Sequence, residues 1–123
     1  MFLVCVLCYR YNDKIMDLSK KKCVPCEGKV PPLNGEQIAE LRKEISKDWV
    51  VLENKKLRKE FLFVNYQHTM DFVNKVATIA EEQGHHPVMT VYYSKCEVEL
   101  WTHAINGLSE NDFIIAAKID LVK

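Results

Sequence analysis

Neither sign of charge prevails in this chain: seventeen Lys and Arg face seventeen Asp and Glu, a formal net charge of zero. Binding to a phosphate backbone rests on a basic surface that displaces counterions, so direct nucleic-acid binding is disfavoured. Long apolar runs are missing as well. No stretch approaches the roughly 20 apolar residues that a membrane-spanning helix needs, and the chain reads as soluble and cytoplasmic, with nucleus and organelle left open. Residues 1–9 are almost wholly apolar, yet they lack a basic flank and a small-residue cleavage site, which argues against a signal peptide. An even cysteine count is also absent: five cysteines cannot close a full disulfide framework and suit a reducing compartment. At 123 residues there is room for one domain.

Four of the cysteines stand in two pairs, Cys5 with Cys8 and Cys23 with Cys26, with fourteen residues between the pairs. That spacing lies close to a zinc-ribbon template. Against it, Cys5 and Cys8 sit in an apolar run without the turn residues that aim two thiolates at one metal, so no metal is assigned. Lys20 to Lys22 would favour thiolate at Cys23. Cys96 reads as an ordinary strand residue. Residues 14–32 hold much Lys together with Pro25, Gly28, Pro31 and Pro32 and show no hydrophobic period. Residues 1–32 are therefore expected to form a flexible extension, and residues 33–123 the folded domain.

Within that domain the periodicities alternate. Asn34 caps a helix with Ile38, Leu41 and Ile45 on one side. Residues 48–53 and 57–64 read as a hairpin around Asn54-Lys55-Lys56. A long helix over 66–83 carries Met70, Val73, Val76, Ala77 and Ala80, widened by Phe72 and Ile79, and stops at Gly84. Residues 88–93 and 96–103 form a second hairpin, with Val98 and Leu100 on one face and His103 on the other. A last helix opens on a capping box, Ser109 with Asp112, and buries Phe113, Ile114, Ala117 and Leu121. The class is α+β, a four-stranded antiparallel sheet with three helices on one face, in the order α-β-β-α-β-β-α.

Histidine is scarce, at four residues, and three of them gather around the second hairpin: His85, His86 and His103. An imidazole with an unperturbed pKa of ~6.5 can give a proton in one step and take one in the next. Neighbours in a strand face opposite ways, so His85 and His86 converge only in the irregular connection after Gly84, where Pro87 holds His86 extended. Glu81 lies one helical turn before His85 and either supports its ring or stays solvated. A three-histidine metal site is the alternative, weakened because adjacent histidines rarely share one ion and no carboxylate is placed to orient each ring. His68 reads as a surface or capping residue.

The run Glu81-Glu82-Gln83-Gly84-His85-His86-Pro87, followed by Tyr93, His103, Gly107-Leu108-Ser109 and Asp112, resembles the pterin-4a-carbinolamine dehydratases over residues 33–123. The resemblance implies a hydro-lyase that converts 4a-hydroxytetrahydropterin to quinonoid dihydropterin without metal or other cofactor. It implies His85 and His103 as the acid and base, His86 as a substrate-binding and catalytic partner, and Glu81 in support. Trp49 matches a family tryptophan near the pocket and would either cover the pterin or fill the core. Asp112 matches the signature, although the capping box explains it without catalysis. Two positions depart from animal members: Gly84 is commonly acidic there, and Asn111 often basic. Relatives are homodimers or homotetramers. Some are non-catalytic binding modules, acting as dimerisation cofactors of a transcription factor or as assembly chaperones; this chain keeps the whole histidine set, which favours the enzyme.

Overall fold

The computed structural model describes residues 17–25 and 30–123. The two hairpins join side by side into one sheet. Strands β1 (Val50–Leu52), β2 (Lys56–Leu62), β3 (Val88–Val91) and β4 (Lys95–Leu100) pair antiparallel in the order β1-β2-β4-β3. The second hairpin therefore inserts its later strand against β2. Along β4 burial alternates strictly, with Cys96, Val98 and Leu100 inward, and Leu57 and Phe61 of β2 meet them on the same face. Residues at spacing two share a face, so one apolar side is covered and the other keeps charge, including the Arg58–Glu97 pair at 2.6 Å. Helices α1 (Gly35–Arg42), α2 (Tyr66–Gln83) and α3 (Glu110–Val122) complete the expected α-β-β-α-β-β-α order.

Helix α2 matches its expected limits. Asn65 accepts from the His68 amide at the start, and Gly84 closes the end at φ 65°, in the left-handed region that only glycine enters without cost. Its buried stripe is Thr69, Phe72, Val76 and Ala80, rotated from the predicted one so that Ala77 is exposed. Thr69 is buried with its hydroxyl satisfied, since Oγ1 lies 3.0 Å from the carbonyls of both Asn65 and Tyr93 and can give its one proton to either. Helix α1 is shorter than its apolar spacing suggests: Glu44 bonds back three residues to Leu41, and Arg42 reaches forward to the carbonyls of Ser46 and Lys47. Ile45 is still buried, beyond the helix end. The first turn falls one residue early, because Glu53 and Asn54 both take positive φ, at 51° and 57°.

Two expectations are corrected. Leu121 is 70% exposed, whereas Asn111 through Ala117 and Ile119 are all buried. The reason lies in the second correction. Residues 17–25, expected to belong to a flexible tail, pack along α3 as a strap. Leu18, in a short 3₁₀ turn (Leu18–Lys20), is 3% exposed within the core. Lys21 pairs with Glu110 at 2.8 Å, and Lys118 donates to the Ser19 carbonyl. The strap covers α3 as far as Lys118, one turn short of Leu121. A single buried leucine and a row of backbone bonds leave no hydrophobic period to read. Cys5, Cys8 and Cys26 lie outside the described residues. Among those described, no helix is long and apolar enough to cross a membrane.

Candidate active site

Three local devices bring the histidines together. At the end of α2, Gly84 and His85 both donate their amides to the Ala80 carbonyl, and the left-handed glycine turns the chain off the helix axis. His85 and His86 leave the helix in this turn. Beyond β4, Thr102 pairs with Gly107 in an isolated bridge, and the residues between form a 3₁₀ turn (His103–Ile105) that carries His103. His103 thus heads a loop and is not the last residue of the strand. Glycine is required at 107 because a Cβ there would meet the Pro32 ring at 2.7 Å. The third device is the first turn of α3, where Asp112 closes the capping box.

Asp112 holds the site together. It is fully buried, and its Oδ2 accepts from Thr102 Oγ1 at 2.8 Å and from the Ser109 amide at 2.9 Å. Its Oδ1 lies 2.6 Å from His85 Nε2. A carboxylate can only accept, so the network assigns the Nε2 proton to His85 and leaves Nδ1 as the nitrogen free to accept a proton. Glu81 does not reach His85, contrary to the helical-spacing expectation: its Oε1 contacts His86 Nε2 at 2.8 Å, because the turn at Gly84 breaks the helical register between positions 81 and 85. That pair is largely exposed and worth little in stability. Its effect is to bias the direction of the His86 ring.

His85, His86, Trp101, Thr102, His103, Ala104 and Asn111 line one cleft of about 270 Å³. The Trp101 and His103 rings lie 4.5 Å apart at 53°, and Lys56 Nζ sits 4.1 Å from the Trp101 ring. A wider hollow of about 710 Å³, along β1 and β2, is lined by none of the histidines. The cleft offers three imidazoles, one oriented by a buried acid, beside an aromatic wall, and can exchange protons with a planar heterocycle. Trp49 is not part of it. Its ring is fully buried against Phe61, and its Nε1 donates to both oxygens of Asp120 at 3.0 Å, so it fills the core.

Burial pushes the Cys23 thiol up to about 11, outweighing the charge of Lys118, and Sγ donates to the Asn111 carbonyl at 3.7 Å. No group of three or more His, Cys, Asp or Glu among the described residues is arranged to hold a metal ion. Thr102 and Trp101 carry no sequence signal as site residues, and Asp112, though it fits the signature, reads as a cap alone. A cap uses one oxygen, and the sequence does not say where the other points.

A small α+β domain whose cleft combines paired histidines after a long helix with a third histidine beside the last helix defines a recognisable class. The family model described as pterin 4 alpha carbinolamine dehydratase matches residues 31–122. A protein of Nitrosospira multiformis is 57% identical over 109 residues, covering 89% of this chain and 95% of that relative, and one of Rickettsia bellii is 48% identical over 106 residues, covering 86% and 94%. Both carry the provisional name pterin-4-alpha-carbinolamine dehydratase. A crystal structure described as a transcriptional coactivator/pterin dehydratase from Brucella melitensis superposes with TM-score 0.69 at 25% identity, over 74% of this chain and 97% of that one. A pterin dehydratase-like protein identified as a RuBisCO assembly factor in the alpha-carboxysome gives TM-score 0.54 at 25% identity, over 61% and 88%. This chain belongs to the pterin-4-alpha-carbinolamine dehydratase family.

Proposed function

We propose that the protein is an active hydro-lyase that dehydrates pterin-4a-carbinolamine, that is 4a-hydroxytetrahydropterin, to quinonoid dihydropterin in tetrahydrobiopterin recycling. The 4a-hydroxyl leaves as water as the C4a–O bond breaks, taking a proton from one imidazole. N5 gives its proton to another as the C4a–N5 double bond forms, so the reaction balances with no electron acceptor. His85 and His103 form the acid-base pair, with His85, unprotonated at Nδ1, taking the N5 proton. His86, biased by Glu81, binds near the departing hydroxyl. The observation that carries this reading is the 2.6 Å contact between His85 and buried Asp112 in a cleft that His86 and His103 also line. Capping alone engages Oδ2, and the second oxygen is directed at a ring on the cleft wall, which favours the enzyme over a coactivator or assembly-factor role.

Self-association into a homodimer or homotetramer is part of the same reading. It is supported by β3, an edge strand with Val88 and Val91 exposed and followed by exposed Tyr92 and Tyr93. The decisive experiment is turnover of 4a-hydroxytetrahydropterin generated in situ by an aromatic amino-acid hydroxylase. His85→Ala and His103→Ala are each expected to lose about 10²–10⁴-fold in kcat, and His86→Ala mainly to raise KM. Near wild-type rates in both of the first two variants would overturn the assignment.

A further inference from the structure

The strap touches the helix ends that carry the reactive pair. The Cys23 amide donates to Gln83 Oε1 at 2.9 Å, and Gln83 is the last residue of α2, two positions before His85. One residue on, Val24 and Asn111 pair in both directions: the Val24 amide donates to Asn111 Oδ1 at 3.0 Å, and Asn111 Nδ2 donates to the Val24 carbonyl at 2.6 Å. Asn111 is 5% exposed, lines the histidine cleft and immediately precedes Asp112. The His85–Asp112 contact spans the gap between α2 and α3, and the Cys23-Val24 dipeptide spans the same gap from outside.

We propose that Gln83 and Asn111 are positioning residues through which the N-terminal strap clamps the ends of α2 and α3, and so sets the distance between His85 and Asp112. This rests on the acid-base reading of the cleft for its catalytic consequence, but not for its structural content. Both amide side chains spend their bonds on strap backbone, a fixed framework, and not on each other. The two helices also pack directly against each other through the shared core, and the strap adds a polar tie at the ends where His85 and Asp112 meet. A misplacement of about 1 Å at a proton-transfer pair costs on the order of 10²-fold in rate, and a loosened clamp falls short of that.

The test uses full-length protein carrying Gln83→Leu or Asn111→Leu, replacements of similar size that cannot bond to the strap. The His85 imidazole is read by ¹⁵N and ¹H NMR, and steady-state kinetics run alongside. In both variants the Nε2-bound proton signal of His85 is expected to broaden or move upfield, and kcat to fall about 10-fold with KM changed less than about threefold. A role limited to stability would lower the melting temperature and leave the His85 signal and kcat alone. Wild-type imidazole signals in folded Gln83→Leu overturn the clamp, and that variant decides the matter should Asn111→Leu fail to fold. Because the NMR readout needs no substrate, it tests the clamp even if wild-type protein does not turn over the pterin.

Discussion

Replacing Asp112 by asparagine should separate the structural work of this buried acid from its work on His85. The side chain keeps its shape, but one oxygen becomes an NH₂ donor. The Ser109 amide and the Thr102 hydroxyl both approach Oδ2, at 2.9 and 2.8 Å, and the Ser109 amide can only donate. The amide oxygen must therefore take the Oδ2 place, which turns the NH₂ toward His85 Nε2, where the carboxylate contact measures 2.6 Å. Donor then meets donor, and the conflict resolves when the His85 proton moves from Nε2 to Nδ1. Three charge-assisted bonds become neutral ones, at about 0.5–1 kcal/mol each, so the fold should lose about 2 kcal/mol. Against a typical stability of about 5–15 kcal/mol the variant stays folded, with its melting temperature lowered by roughly 8 °C. Activity should suffer far more. His85 Nδ1 now carries the proton it would have to accept, and loss of one proton-transfer partner costs about 10²–10⁴-fold in kcat. A thermal melt, the dehydratase rate and the His85 ¹⁵N shifts test the three steps together. A variant whose His85 tautomer has reversed while kcat stays within threefold of wild type would refute the reasoning, and one whose tautomer is unchanged would refute the hydrogen-bond assignment.

Trp49→Phe should destabilise the fold by about 2 kcal/mol, from lost ring volume and the lost Asp120 bond, and leave KM unchanged because the ring is buried outside the cleft; a raised KM at unchanged stability would return Trp49 to the binding surface. Cys96 and Cys23 should resist alkylation in folded protein, since burial lifts both thiols from 9.0 to about 11. At pH 8 their thiolate fraction falls about 100-fold, and peptide mapping after iodoacetamide treatment would detect it. The same shifts give a sign in pH. Between 9.0 and about 11 the unfolded chain holds fewer thiol protons than the folded one, so stability should decline with rising pH across that window and be unaffected by these groups below it. Denaturant midpoints that stay constant through this range in the wild type, and match those of Cys96→Ala, would contradict it.

Much of the architecture was legible because it is written in local terms. The end of α2 follows from Gly84, whose capping chemistry acts within a few positions, and the inward face of β4 follows from strict alternation. The three histidines could be singled out by their rarity and by the turn that Gly84 and Pro87 enforce. What tertiary structure alone decided is which groups meet across the chain. Helical spacing leaves Glu81 either beside His85 or in solvent, and the left-handed glycine between them sends it to His86 instead. Asp112 stands twenty-seven positions from His85, and only the packing of α3 against the end of α2 turns a helix cap into its partner. Trp49 reads equally well as a pterin cover or a core residue, and Asp120, seventy-one positions away, is what holds it inside. The strap carried no periodicity at all, because its hold on α3 comes from one buried leucine and a set of backbone and polar bonds. Period reveals a face that an element must bury; it is silent about a segment that docks by hydrogen bonds onto a surface the rest of the fold has already made.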